Sequence, residues 1–258
     1  MSDATEQDWP LTRITVSDFD ELDVCDSTNA FLLSLSNPKP FSLIVSRNQT
    51  NGIGRHGRRW ISPPNDSLAV SLFFPGWDEA SHAGVNERSS WVPLLAGVAA
   101  VEALKVSTSL SFALKWPNDV LFEQKKVAGI LTQFHPSGGY VIGLGLNVHR
   151  SAAYPSNNAV SLAEVTDPPK NFDDLFVASF AQSLREKVSL GLSSFADLVK
   201  EVLDTLGRVV DVEEVGKRPW VGKALDLGPR GELVVMNQEG ASILVQAADV
   251  WHVRAADV

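Results

Sequence analysis

A single cysteine, Cys25, stands among 258 residues, which excludes an intramolecular disulfide and a cysteine-built zinc centre. Long apolar runs are missing too. The most extended, around Leu94–Leu104, is interrupted by Gly97 and Glu102 and falls short of a membrane crossing. The first eight residues, Met1 to Asp8, are acidic and polar, with none of the charge pattern of a cleavable leader. Positive charge is scarce: 22 Lys and Arg face 31 Asp and Glu, a net charge of -9, the reverse of the broad basic surface that general nucleic-acid binding requires. None of the five histidines forms a recognisable triad with a serine or cysteine nucleophile. Together these absences predict a cytoplasmic protein that binds neither DNA nor membrane. The remaining composition, 44% hydrophobic and 21% charged, supports a sizeable core in one large domain, or one large and one small.

Against this acidic background the stretch Gly52 to Trp60 holds three glycines, three arginines and no acid. Glycine lets a backbone approach a ligand closely, and arginine presents a permanently charged fork suited to carboxylates and phosphates. The segment fits a loop that holds an anionic, nucleotide-like ligand; it fits a solvated basic loop equally well. It is not a phosphate loop of the NTPase kind, because no Gly-Lys-Ser/Thr follows. Gly52, Gly54 and Gly57 have the spacing of a dinucleotide fingerprint, but the required helix cannot start before Pro63-Pro64.

Pattern along the chain predicts an α+β protein. Strands are expected at Leu22–Cys25, Phe41–Ser46, Ser67–Phe74, Phe112–Trp116, Val120–Phe122, Lys126–Phe134 and Tyr140–Val148, the last two forming a hairpin across Pro136 to Gly139. In Ser67–Phe74 the large residues Leu68, Val70, Leu72 and Phe74 alternate with small ones, the two-residue period of a sheet. Ser27-Thr28 can cap a helix running through Ala30–Leu33, and Trp91–Ser107 carries apolar residues at helical spacing. Two more helices follow, at Phe172–Ser189 and Phe195–Leu206. From Gly207 short β-rich runs separated by glycine turns read as a small barrel. The expected division is therefore residues 1–20, a flexible extension; 21–206, the main domain; and 207–258, the barrel.

Five segments, taken in order, resemble the catalytic domain of biotin protein ligases: Asp26-Ser27-Thr28-Asn29, the arginine loop ending at Trp60, Lys115-Trp116-Pro117-Asn118-Asp119-Val120, Lys126-Val127-Ala128-Gly129-Ile130-Leu131, and Gly143-Leu144-Gly145-Leu146-Asn147-Val148. The tail around Asp249–Arg254 resembles that family's SH3-like domain. The resemblance covers about residues 20–256 and implies a mixed, mostly antiparallel sheet with helices, like the class II aminoacyl-tRNA synthetases, plus an SH3-like barrel. It departs at Ile53, where the family's Gly-Arg-Gly-Arg loop has its first arginine. Residues 1–20 are too few for the winged-helix DNA-binding domain of some relatives.

The implied activity joins biotin to a lysine of a biotin carboxyl carrier domain through biotinyl-5′-AMP, with biotin and ATP as substrates and Mg²⁺ accompanying ATP. The same superfamily includes lipoate ligases and octanoyl transferases, and a biotin-binding module without turnover is a further alternative. A monomer or weak homodimer is expected. By the resemblance, Arg55 and Lys126 screen the charge that builds as a carboxylate meets a polyanion. Arg58 holds the other phosphates, Trp60 stacks on adenine, and Asn118 and Asn147 read its edge. Ser27, Thr28, Asn29 and Gln49 take the ureido ring. Gly52, Ile53, Gly54, Arg55, Lys126 and Leu131 line the biotin pocket, with Gly129 and Gly143 leaving room for the ring. Asp119 is left to orient the acceptor ammonium and help remove its proton, to fix Lys126, or to contact Mg²⁺.

Overall fold

Small and β-branched residues dominate the strands that cross the middle of the molecule, and both of their faces are covered. A computed structural model describes residues 8–60, 63–76, 88–149, 158–190, 192–214, 216–246 and 248–252. Its first sheet has seven strands in the order β1-β2-β3-β7-β6-β5-β4: β1 (Asp18–Leu22), β2 (Ser42–Ser46), β3 (Ser67–Phe74), β4 (Ala113–Lys115), β5 (Asp119–Phe122), β6 (Lys125–Phe134) and β7 (Tyr140–Asn147). Only β1 and β2 pair in parallel; every other neighbouring pair is antiparallel. One face is covered by α3 (Val92–Thr108) and α5 (Phe172–Val188), whose apolar residues meet Leu68, Val70, Leu72 and Phe74 of β3. Much of the α3 surface is buried there. The 20-residue helical stretch Ser89–Thr108 is apolar enough to pass for a membrane span by length and composition, yet it is 72% buried inside the protein.

The other face carries α2 (Thr28–Ser34), whose Leu32 joins Ile44, Phe73 and Val141 in a smaller apolar cluster. Strand β3 is therefore buried along its whole length, not on one side as alternation alone suggests. Because side chains alternate, Ser71, Gly129, Leu131, Gln133, Gly143 and Gly145 fall on this second face. Register sets them in two rows across the sheet: Ser71–Gly143–Leu131 and Ala69–Gly145–Gly129–Asp119.

Two expectations need correction. The strand placed at Leu22–Cys25 lies earlier, at Asp18–Leu22, and Cys25 makes only an isolated bridge to Gln49. Residues 8–20 are also no loose extension. Trp9 is 1% exposed in the main core, and its Nε1 donates to Glu21 at 2.6 Å. Helix α1 (Pro10–Thr15) is held by Asp174 of α5, whose carboxylate accepts from Leu11 N at 3.0 Å and Thr12 N at 2.8 Å. That carboxylate satisfies two of the donors every helix start leaves open. Residues 1–7 lie outside the described residues.

The short helix α4 (Leu162–Val165) was not expected; a capping box between Ser161 and Glu164 starts it. After α6 (Leu192–Val202) comes a second, antiparallel sheet of five strands, β11-β10-β9-β8-β12. They are β8 (Val209–Glu214), β9 (Trp220–Leu227), β10 (Leu233–Asn237), β11 (Ser242–Val245) and β12 (Ala248–His252). Two indoles tie it to the first half: Trp91 Nε1 donates to Pro229 O at 3.0 Å and Trp116 Nε1 to Gly231 O at 2.9 Å.

Candidate active site

The arginine loop closes on itself as a small hairpin. Trp60 N donates to Gly52 O at 2.9 Å and Gly54 N to Arg58 O at 2.7 Å, with Ile53 opposite Arg59. Gly52 has to be glycine, since a Cβ there would lie 2.8 Å from Trp60 O. At the tip His56 and Gly57 take φ values of 54° and 71°, a region that glycine enters at little cost. Ile53 is 44% exposed and Arg58 is exposed. Arg55 turns inward, its Nη1 donating to Asn118 Oδ1 at 3.2 Å.

Asn118 works as a bracket. Its Nδ2 donates to Ile130 O at 2.8 Å and its backbone O accepts from Ile130 N at 2.9 Å, so β6 fixes the amide that holds Arg55. This is a different task from reading adenine. Lys126 is fixed from two sides: its Nζ lies 2.6 Å from Asp119 Oδ1, and its backbone pairs with Asn158 and Val160. Of the three roles open to Asp119, this geometry matches the fixing of Lys126. Asn147 is 4% exposed and uses its amide hydrogens on Lys126 O at 3.4 Å and Val160 O at 3.2 Å, so an adenine amino group would have to meet its Oδ1.

Trp60 lies on the glycine row. A Cβ on Gly145 would come within 2.5 Å of its Cε2, and one on Gly129 within 3.1 Å of its Cζ3. Lys126 Nζ sits 5.6 Å from the ring centroid, in cation–π range. Trp60 Nε1 is buried without a hydrogen-bond partner.

On the neighbouring row Ser27 caps α2, accepting from Ala30 N at 3.4 Å. Gln49 Oε1 accepts from Thr28 N at 2.8 Å and stands 3.2 Å from Thr28 Oγ1. Asn29 Nδ2 reaches Gln133 Oε1 at 2.8 Å and Leu131 O at 3.3 Å, while Ser71 Oγ lies 2.6 Å from Asn29 Oδ1 and 2.7 Å from Thr28 Oγ1. The room expected for a ligand ring at Gly143 and Gly129 is taken by protein. A Cβ on Gly143 would meet Asn29 Oδ1 at 2.2 Å, and one on Gly129 would meet Lys126 Nζ at 2.9 Å.

Ser71, Gln133 and Gly145 escaped the sequence reading. A period of two, from Gly129 and Leu131 to Gln133 and from Gly143 to Gly145, was the available signal for the last two. Beside Arg55, a cavity of about 660 Å³ is lined by Asn118, Leu131 and Trp116 and, from the connections between strands of the second sheet, by Arg230, Glu232 and Gln246. Among the described residues no three His, Cys, Asp or Glu side chains gather as a metal site.

Residues 21–147 match the model of the biotin/lipoate A/B protein ligase family. The chain is 29% identical over 220 residues to the biotin–[acetyl-CoA-carboxylase] ligase of Mycobacterium tuberculosis, covering 82% of this chain and 79% of that one. It is 26% identical to the bifunctional ligase/repressor of Bacillus spizizenii, covering 87% and 71%. Among solved structures, the biotin protein ligase of Aquifex aeolicus in complex with biotin and ATP superposes with a TM-score of 0.75 at 26% identity, covering 92% of this chain and all of that one. The hairpin of arginines, the Lys126–Asp119 pair and the glycine rows thus lie in the matched region, and residues 21–147 are a domain of the biotin/lipoate A/B protein ligase family.

Proposed function

We propose that the protein uses ATP to attach biotin, through biotinyl-5′-AMP, to a lysine of a biotin carboxyl carrier domain. One observation carries the reading. Arg55, Lys126 and Trp60 converge on one sheet face beside the Thr28–Asn29–Gln49 network, so cations and an aromatic ring stand next to a neutral polar pocket. That combination suits a ring with a carboxylate tail meeting a nucleotide.

In the first step a biotin carboxylate oxygen bonds to the α-phosphorus and the bond to pyrophosphate breaks. Two anions must approach, and Arg55 and Lys126 offset their repulsion from positions already fixed by Asn118 and Asp119. Such preset charge is effective because it needs no reorganisation during reaction. In the second step the acceptor amine, having lost a proton, bonds to the acyl carbon, and the carbon–oxygen bond to AMP breaks. Both nucleophiles belong to substrates, which agrees with the lack of a nucleophile triad. Asp119 acts by holding the Lys126 ammonium in place. Among the described residues no cluster of side chains fits a resident metal, and Mg²⁺ belongs with ATP.

The five-stranded sheet is assigned, in the same proposal, as the SH3-like barrel spanning residues 207–258. The ligase unit then ends at 206 and begins earlier than 21, because Trp9 and α1 pack into its core. Pyrophosphate exchange tests the first step. Exchange should depend on biotin, and lipoate in its place should give none. Biotin transfer to a carrier domain tests the second. Exchange supported by lipoate alone overturns the reading.

A further inference from the structure

We propose that Ser71 is a positioning residue that turns the Thr28 hydroxyl into an acceptor for the substrate, so that the site selects a ring carrying N–H groups. This rests on Thr28 being a ureido contact. Ser71 is completely buried, so its hydrogen bonds are made within the protein.

The direction of each bond follows by elimination. The Leu131 carbonyl can only accept, so the Asn29 atom 3.3 Å away is the amide nitrogen. Gln133 Oε1, 2.8 Å from the same nitrogen, holds the amide in that sense. The atom 2.6 Å from Ser71 Oγ is therefore Asn29 Oδ1, which carries no proton, and Ser71 must donate to it. A serine hydroxyl has one proton, so that proton is spent. The contact at 2.7 Å between Ser71 and Thr28 then has to use the proton of Thr28. Gln49 Oε1 competes poorly for it, lying at 3.2 Å and already taking Thr28 N–H at 2.8 Å. Thr28 Oγ1 is left with lone pairs. A ligand group that meets it must bring the hydrogen, as a ureido N–H does and a ring oxygen or thioether does not. The chain from Thr28 to Ser71 to Asn29 thereby sets which ring chemistry the pocket accepts.

The test compares biotin with its two cyclic carbamate analogues, each replacing one ureido N–H by a ring oxygen, in pyrophosphate exchange. The unaltered protein should disfavour at least one analogue by roughly 10–100-fold in kcat/KM, the usual effect of one unmet buried hydrogen bond. In Ser71→Ala the Thr28 proton is free to turn toward the ring, so this ratio should drop by about fivefold or more while KM for ATP stays unchanged. Ser71→Cys keeps the side-chain shape in a slightly larger volume, with far weaker hydrogen bonding, and should lower the ratio likewise, which covers the case of an unstable alanine variant. A ratio unmoved in the variants, or an unaltered protein that accepts both carbamates as well as biotin, overturns the proposal. Absence of biotin turnover in the unaltered protein overturns the reading beneath it.

Discussion

Lys126 owes its position to contacts that leave its ammonium partly open. Asp119 holds Nζ, strand pairing holds the backbone, and the side chain keeps 34% of its exposure. Lys126→Ala should therefore lower adenylate formation by about 10²–10³-fold while changing unfolding free energy by less than about 1 kcal/mol; pyrophosphate exchange and urea titration check the two halves. Trp60→Ala should weaken ATP binding about tenfold, since purine–aromatic stacking is worth roughly 1–3 kcal/mol, with a smaller loss for biotin. Calorimetry giving equal losses for both would make Trp60 structural. Arg55, Lys126 and Trp60 were legible because their residue types stand in ordered motifs. Ser71 was not: between Val70 and Leu72 it reads as ordinary strand alternation, and its partner Asn29 is 42 residues away. Nor does the pairing of Asn118 with Arg55, 63 residues apart, follow from either motif alone.

At the scale of elements, the sequence predicted the central strands and long helices well, because they are long apolar stretches buried almost throughout and bounded by polar or turn-forming residues. It misplaced β1, whose Asp18, Asp20 and Glu21 read as loop. An acidic edge strand is physically reasonable, since charge discourages pairing with another sheet. The role of α1 was hidden for a related reason: its anchor is Asp174, 162 residues from Thr12. Asp174→Ala would leave the Leu11 and Thr12 amides without their acceptor. A loss of about 1–2 kcal/mol is expected, measurable by denaturant unfolding. A change below about 0.3 kcal/mol would mean that Trp9 alone docks the segment.

Across the whole molecule, the second sheet shares a core with α3 and α6, in which Trp91, Trp116 and Phe195 pack against Val210, Leu233 and Val235. Trp116 adjoins Pro117 and Asn118, so the turn that receives its N–H supports the segment that aims Arg55. An ion pair adds to this union: Lys200 Nζ stands 2.5 Å from Asp226 Oδ1. The hydrogen bond from Lys200, helped by the Leu227 N–H, holds the Asp226 carboxyl below its ordinary value. A depressed folded value means that the contribution is complete above the unfolded carboxylate range and is lost as pH falls through the folded one. Stability should therefore decline slightly more steeply with acid in the unaltered protein than in Lys200→Ala. Both partners are well exposed, so salt should erase the difference. Urea unfolding at neutral and acidic pH, with and without salt, is the check.

The glycines of β7 have a consequence for inheritance as well as for shape. Gly143 makes room for Asn29 and Gly145 for Trp60, so each glycine and its occupant form one unit under mutation. Alanine at 143 should weaken biotin binding by displacing the Asn29 side chain. Once Asn29 is itself alanine, the same change should do little further harm: the second lesion is masked by the first. The analogous masking should link Gly145 to Trp60 and appear in ATP binding. Losses that simply add in the paired variants would mean that the glycines serve some other neighbour. A lineage that replaced either occupant with a smaller residue would thereby release its glycine to vary, and the two positions would change together.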